Sequence, residues 1–210
     1  MKGDARGIDW DAYRAAYPTM TYEQVAEFHR LIWDVFPDQC HHSREALDRF
    51  FAGSGPISVV ELGGWRGEAA AWLLDRHPAI ARWVNIEICE PAVRAPATQD
   101  PRYRPVFPDR WAWDLPPAPF DVAVLAHVIE HILPAQLNQL VAWLAACGVR
   151  RVYVEAPLLD AGQRWRHSTS SHLLEIGWAA VVALFGERGY KLVERIPLPT
   201  RDACLFEAAP

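Results

Sequence analysis

The chain lacks a cysteine framework. Its four cysteines, Cys40, Cys89, Cys147 and Cys204, are scattered with no C-x-x-C pair. No secretory signal is read ahead of them, so neither a disulfide scaffold nor a zinc knuckle is expected, and free thiols in a reducing cytoplasm are. A basic excess is missing too. The net charge is -5, whereas domains that bind by neutralising phosphates carry a basic excess or stripe, so nucleic acid is disfavoured as a partner. No apolar run approaches the roughly 18 residues of a membrane span, because Arg, Asp or Glu interrupts every greasy stretch. Internal repeats and low-complexity tracts are absent as well. What is present is 210 residues, 51% hydrophobic and 22% charged, enough for one sizeable core and too few for two comfortable domains.

Residues 1–20 mix Gly, Asp, Arg and Pro without clear periodicity and read as an arm, loose or folded over the body. Thr21 and Gln24 make a capping-box pattern ahead of Val25, Phe28, Ile32 and Val35 at helical spacing, which predicts a helix with one buried stripe, stopped by Pro37. Ser43 can cap a second helix through Phe51, ended by Gly53-Ser54-Gly55-Pro56. From Ile57 onward, short β-branched runs alternate with longer helical runs, the pattern of a parallel sheet covered by helices. Strands are expected at 57–62, 83–88, 104–107, 121–126 and 150–155, with helices at 66–76, 91–95 and 135–146 between them. After a loop at 157–171, a helix runs from Trp178 to Arg188 and closes on Gly189. Two last strands, 190–196 and 202–207, are joined by Pro197-Leu198-Pro199-Thr200, a link so short that the pair must be antiparallel.

The chemistry concentrates where Val59-Val60-Glu61-Leu62-Gly63-Gly64-Trp65-Arg66-Gly67-Glu68 carries the first strand into a glycine turn and a helix. Such a turn lets backbone approach a ligand and can aim amide hydrogens at a carboxylate or phosphate. Glu87, between Ile86 and Ile88, follows Gly63 by 24 residues, near the roughly 20-residue offset at which a carboxylate meets the hydroxyl pair of a ribose. Each such charge-assisted bond contributes about 1.5 to 3 kcal/mol. The alternatives are a solvated strand-end Glu87, or Glu90 in its place.

Together with Phe120-Asp121-Val122-Ala123-Val124-Leu125-Ala126-His127-Val128-Ile129-Glu130-His131-Ile132, Val152-Tyr153-Val154-Glu155-Ala156-Pro157 and Leu184-Phe185-Gly186-Glu187-Arg188-Gly189-Tyr190, these segments resemble the class I S-adenosylmethionine-dependent methyltransferases over about residues 57–207. The resemblance implies an α/β, Rossmann-like doubly wound sheet, mostly parallel with an antiparallel C-terminal strand. Residues 1–56 would be an N-terminal arm and helical lid, and 57–210 the methyltransferase domain. S-adenosylmethionine would be the cofactor, and the reaction methyl transfer to an oxygen or nitrogen of a small-molecule acceptor. Glu61 and the turn residues Gly63, Gly64, Trp65 and Gly67 would face the methionine half, Glu87 and Ile88 the ribose, and Asp109 and Trp111 the adenine. Ala126 and His127 would border the sulfonium, His127 accepting or orienting an acceptor proton with His131 beside it. No metal is expected, because no acidic pair follows the fourth and fifth strands to hold magnesium.

Two positions depart from the family's pattern. Trp65 stands where glycine is usual, so its side chain must swing away from the cofactor or occupy the methionine site. The loop 108–114 lacks the usual acidic spacing before Leu115-Pro116, and its tryptophans can equally be core. Other readings therefore stay open. One is a non-catalytic methyltransferase-like module, blocked by Trp65, with the lid as a partner surface. Another follows from His127-Val-Ile-Glu130-His131, which matches H-x-x-E-H, where two histidines on one helical face bind zinc and the glutamate acts as base; here, however, His127 abuts an apolar strand. Bracing of helix and loop is the alternative role for Glu130 and His131. A nicotinamide-dependent oxidoreductase shares the turn and the ribose carboxylate, but the spaced G-x-G-x-x-G is missing. His41, His42, His167 and His172 lie in loops that could add a titratable pocket.

Overall fold

The computed structural model describes residues 8–35, 43–53, 55–158, 173, 176–199 and 201–209. Seven strands, β1 (Ile57–Leu62), β2 (Ile80–Ile86), β3 (Tyr103–Val106), β4 (Val122–Ala126), β5 (Arg151–Ala156), β6 (Tyr190–Pro197) and β7 (Asp202–Ala208), form one sheet in the order β3-β2-β1-β4-β5-β7-β6. β1 to β5 pair in parallel, and β7 runs antiparallel between β5 and β6. Around it lie α1 (Trp10–Ala16), α2 (Tyr22–Val35), α3 (Arg44–Phe51), α4 (Glu68–Arg76), α5 (Glu90–Arg94), α6 (Pro134–Ala146) and α7 (Trp178–Glu187). From β1 the chain moves outward through β2 and β3, then returns to lay β4 on the other side of β1. This reversal opens a crevice past the carboxyl ends of the strands.

The period of two along each strand sorts the core into two layers. Val60, Leu62, Ala123, Leu125, Val152 and Val154 pack with α6 and α7, whereas Val59, Val122, Val124 and Tyr153 pack with α3 and α4. Burial on both faces is why these strands read as continuous apolar runs. β2 starts earlier than expected, at Ile80, because its exposed second and third residues, Ala81 and Arg82, hide the strand from an apolar count. It ends at Ile86, which leaves Glu87 just beyond the sheet.

Residues 10–16 form a helix where only an arm was expected. Asp9 caps it, its carboxylate accepting from the Ala12 amide at 3.0 Å, and Trp10, Tyr13 and Tyr17 are buried at i, i+3 and i+7. The capping box of α2 forms as read: the Thr21 amide donates to Gln24 Oε1 at 2.9 Å, and the Gln24 amide to Thr21 Oγ1 at 3.4 Å. Ser43 caps α3 by accepting from the Ala46 amide at 3.3 Å. Of the two helices expected as a lid, α2 borders the crevice while α3 packs on the sheet beside α4. Cys89, Cys147 and Cys204 are buried free thiols. Among the described residues, no helix is long and apolar enough to cross a membrane.

Candidate active site

The crevice at the strand ends encloses about 1050 Å³, the part open to solvent included. One wall is Leu62 and Gly63 at the end of β1, Ile86, Glu87 and Ile88 at β2, and His127 and Val128 at β4. The opposite wall comes from the N-terminal helices, with Trp10, Tyr17, Tyr22, Val25, His29 and Ile32. Gly63, Trp65, Glu87, Ile88, Trp111, His127 and His131 are thus brought together, whereas Glu61, Gly64, Gly67, Asp109 and Ala126 are outside the lining.

The glycine turn spends its amides inside the protein. Gly63 N donates to Ile86 O at 3.0 Å, Gly64 N to Asn85 Oδ1 at 3.1 Å, Trp65 N to Glu87 Oε2 at 2.8 Å and Gly67 N to Gly64 O at 2.8 Å. The hydrogens expected to face a ligand therefore brace the turn on β2. Asn85, fully buried, completes the brace by donating to Trp65 O and to the Tyr103 hydroxyl, each at 3.0 Å. Sequence reasoning passed over Asn85, although a polar residue inside an apolar strand was a signal. Glu61 is folded under the turn: a Cβ on Gly64 would stand 2.2 Å from its Cδ. Its carboxyl accepts from Trp83 Nε1 at 2.8 Å, and burial, against that bond, pushes its pKa up to about 8. Gly67, at φ 79, leaves room for the Tyr103 hydroxyl, which a Cβ would meet at 2.2 Å.

Trp65 adopts φ 50, a left-handed conformation costing an L residue about 1 to 2 kcal/mol. The indole offsets this by burial: it packs with Trp10, Ile32, Cys89 and Ala92, and its ring lies 5.3 Å from that of Trp33. The side chain thus ties the turn to α1, α2 and α5, and forms one side of the crevice.

Glu87 is 2% exposed. Its two oxygens accept from Trp65 N and, at 2.7 Å, from Cys89 N, while burial, outweighing these amides, pushes its pKa up to about 7. Glu90, the alternative, is ion-paired to Arg94 at 2.5 Å on α5, outside the lining. In the loop after β3, Trp111 and Trp113 stack at 5.1 Å. Tyr22 meets Trp111 edge-on at 5.4 Å, and its hydroxyl donates to Pro108 O at 2.6 Å. Asp109 instead pairs with Arg110 at 2.7 Å on the exposed side.

His127, at φ 57, turns the chain after β4, and its amide donates to Glu155 O at 2.7 Å. Its Nδ1 is 3.0 Å from Glu130 Oε1 and its Nε2 3.7 Å from Glu155 Oε1. Burial opposes charge on this ring, yet the two carboxylates hold its pKa up at about 9. Burial likewise works to raise Glu155, but His127, the Tyr153 hydroxyl, the Ser43 amide and Arg201 Nε outweigh it and hold the carboxyl at about 2. His127 is a cation near neutrality. Of the two roles expected of it, accepting or orienting an acceptor proton, the raised pKa favours orienting.

His131 sits in a 3-10 turn, Ile129–His131, with Nε2 3.8 Å from Glu130 Oε1. The H-x-x-E-H run is therefore not a helix, and both rings turn onto the glutamate between them. No group of three or more metal-ligand side chains gathers among the described residues. His41, His42, His167 and His172 lie outside the described residues. His29 on α2, which the apolar stripe of that helix concealed, lines the crevice; burial and then His131 push its pKa down to about 3.

No family model matches the chain, and no curated relative matches its sequence. Solved structures match its fold. The Burkholderia thailandensis 1,6-didemethyltoxoflavin-N1-methyltransferase, determined with 1,6-didemethyltoxoflavin and S-adenosylhomocysteine bound, is 19% identical over 99% of this chain and 93% of that one, with a TM-score of 0.66. The pyocyanin biosynthetic protein PhzM is 19% identical over 79% of this chain, with a TM-score of 0.62. The fold is that of the class I S-adenosylmethionine-dependent methyltransferases. Within that fold the chain spans 54% of the length of PhzM. The (4+2)-cyclase SpnF also shares it, 13% identical over 90% of this chain and 97% of that one, with a TM-score of 0.69, so the fold alone leaves the reaction open.

Proposed function

We propose that the chain binds S-adenosylmethionine in the crevice beside β1 and β4 and transfers its methyl group to an oxygen or nitrogen of a small-molecule acceptor. Glu87 carries this reading. It is a buried carboxylate on the crevice wall, each oxygen braced by one amide and able to accept one further donor, as two ribose hydroxyls require. Ile88 and Trp111 offer flat apolar walls to a purine. With the turn amides bonded internally, the methionine end would rest against Gly63 and the side of Trp65.

The bound cofactor supplies an electrophilic methyl group on a sulfonium, so the chain's tasks are alignment and exclusion of water. α1 and α2 would act as the lid, with Trp10, Tyr17 and Tyr22 shielding the crevice. His127, charged between Glu130 and Glu155, is unsuited to take a proton at neutral pH; with His131 it would hold the loop after β4 in place. A small heterocycle bound to the toxoflavin enzyme favours a small acceptor here. The buried thiols suit a reducing cytoplasm.

A second reading, a non-catalytic methyltransferase-like module, is favoured by Trp65 at the family's glycine position and by the internally bonded turn. Isothermal titration with S-adenosylmethionine separates the two. Micromolar binding is expected of the enzyme, and silence at millimolar ligand would establish the module.

A further inference from the structure

Apart from Glu87 and the buried Trp10 Nε1, a donor with no partner among the described residues, little on the crevice wall is left to recognise an acceptor. The Tyr22 hydroxyl donates to Pro108 O, and the Tyr17 oxygen accepts from the Gln136 side chain. His127 faces two carboxylates, His131 faces Glu130, and Arg110 holds Asp109. His29 differs. Among the titratable side chains that line the crevice, its ring alone has no hydrogen bond or ion pair to a described residue. The surrounding walls are aromatic: Trp10, Tyr17, Tyr22, Trp111 and Trp113 all border the same space. Flat rings pack well against such walls, and the part-exposed His29 imidazole, with no partner among the described residues, presents a nitrogen that can accept from a ligand's O–H or N–H.

We propose that His29 of α2 accepts a hydrogen bond from the acceptor molecule, and that this molecule is a flat aromatic compound carrying an O–H or ring N–H. Burial and the facing His131 keep the ring in its accepting, uncharged form. The residue comes from the helix that covers the crevice, so recognition and closure share one contact. The inference rests on the methyltransferase reading, because it takes the space beside Glu87 as a shared cofactor and acceptor site.

The test titrates naphthol and its methyl ether, in the presence of S-adenosylhomocysteine, into the full chain and into His29→Ala and His29→Gln. Wild type should hold naphthol about tenfold more tightly than the ether, the effect of one buried hydrogen bond. His29→Ala should abolish that preference with S-adenosylhomocysteine affinity unchanged. His29→Gln, whose amide oxygen still accepts, should retain part of it. In nitrogen NMR, the accepting nitrogen of His29 should shift on adding naphthol and stay put with the ether. With S-adenosylhomocysteine bound, absence of naphthol binding, equal affinity for both probes, or an unaltered preference in His29→Ala overturns the assignment of His29 alone. If S-adenosylhomocysteine does not bind wild type, the cofactor reading falls, and this inference with it.

Discussion

Glu87 and Glu155 are both buried carboxylates at strand ends, one past β2 on the crevice wall and one at the end of β5 outside the lining, and their surroundings drive them in opposite directions. Glu87 receives two neutral amides, and its pKa is raised to about 7. Glu155 receives His127, Arg201, Tyr153 and the Ser43 amide, and is held at about 2. A carboxylate saturated by cations is a structural junction: it joins β4, β5, α3 and the turn before β7. One supplied only by amides keeps unsatisfied capacity, which is what a ligand site requires.

The harshest way to break the comparison is Glu155→Ala, which leaves His127 and Arg201 without their shared carboxylate. A loss of about 3 kcal/mol or more is expected in urea denaturation. The stability that His127 contributes is complete below its ordinary 6.5 and disappears as pH rises through about 9. That of Glu155 is present above 4.5 and disappears as pH falls through about 2.

Glu87→Gln should do the reverse, lowering S-adenosylmethionine affinity about 100-fold with stability above pH 7 equal or improved, because the native fold disfavours its ionised form. Trp65→Gly comes next. It relieves a strain of about 1 to 2 kcal/mol but removes a buried indole costing about 3 to 5, so a net loss of roughly 2 kcal/mol is expected, with cofactor affinity lowered because the methionine end loses the side of the indole. If Trp65 blocks the site instead, titration will show affinity appearing in this variant.

A gentler probe is pH. Cofactor affinity of the wild type should rise about tenfold from pH 6 to 8 as Glu87 ionises, and Glu87→Gln should be flat over that range. Smallest of all, Asp109→Asn removes an exposed pair and should change neither affinity nor melting temperature.

Much of this architecture is legible in the residues themselves. Strands covered on both faces announce themselves as apolar runs, and the short link at 197–200 dictates the antiparallel end. α1 is harder to see, because Trp10, Tyr13 and Tyr17 are interleaved with charged residues. Glu87 follows from its distance to the turn. The fate of the turn's amides does not, since it depends on Asn85 and Glu87 arriving from the neighbouring strand. Nor does the charge of His127, which is set by Glu130 one turn on and Glu155 one strand away. Periodicity finds what is apolar, and so misses a histidine such as His29 beside a buried stripe.

The central claim is that Glu87, and not Glu155, is the carboxylate held open for an adenosyl ribose. A crystal structure of the chain soaked with S-adenosylhomocysteine tests it most directly. The account predicts both ribose hydroxyls within hydrogen-bond distance of the Glu87 oxygens and Trp65 still packed on Trp33. Density for the nucleoside elsewhere, or a Glu87 carboxylate that makes no contact with it, would contradict the account.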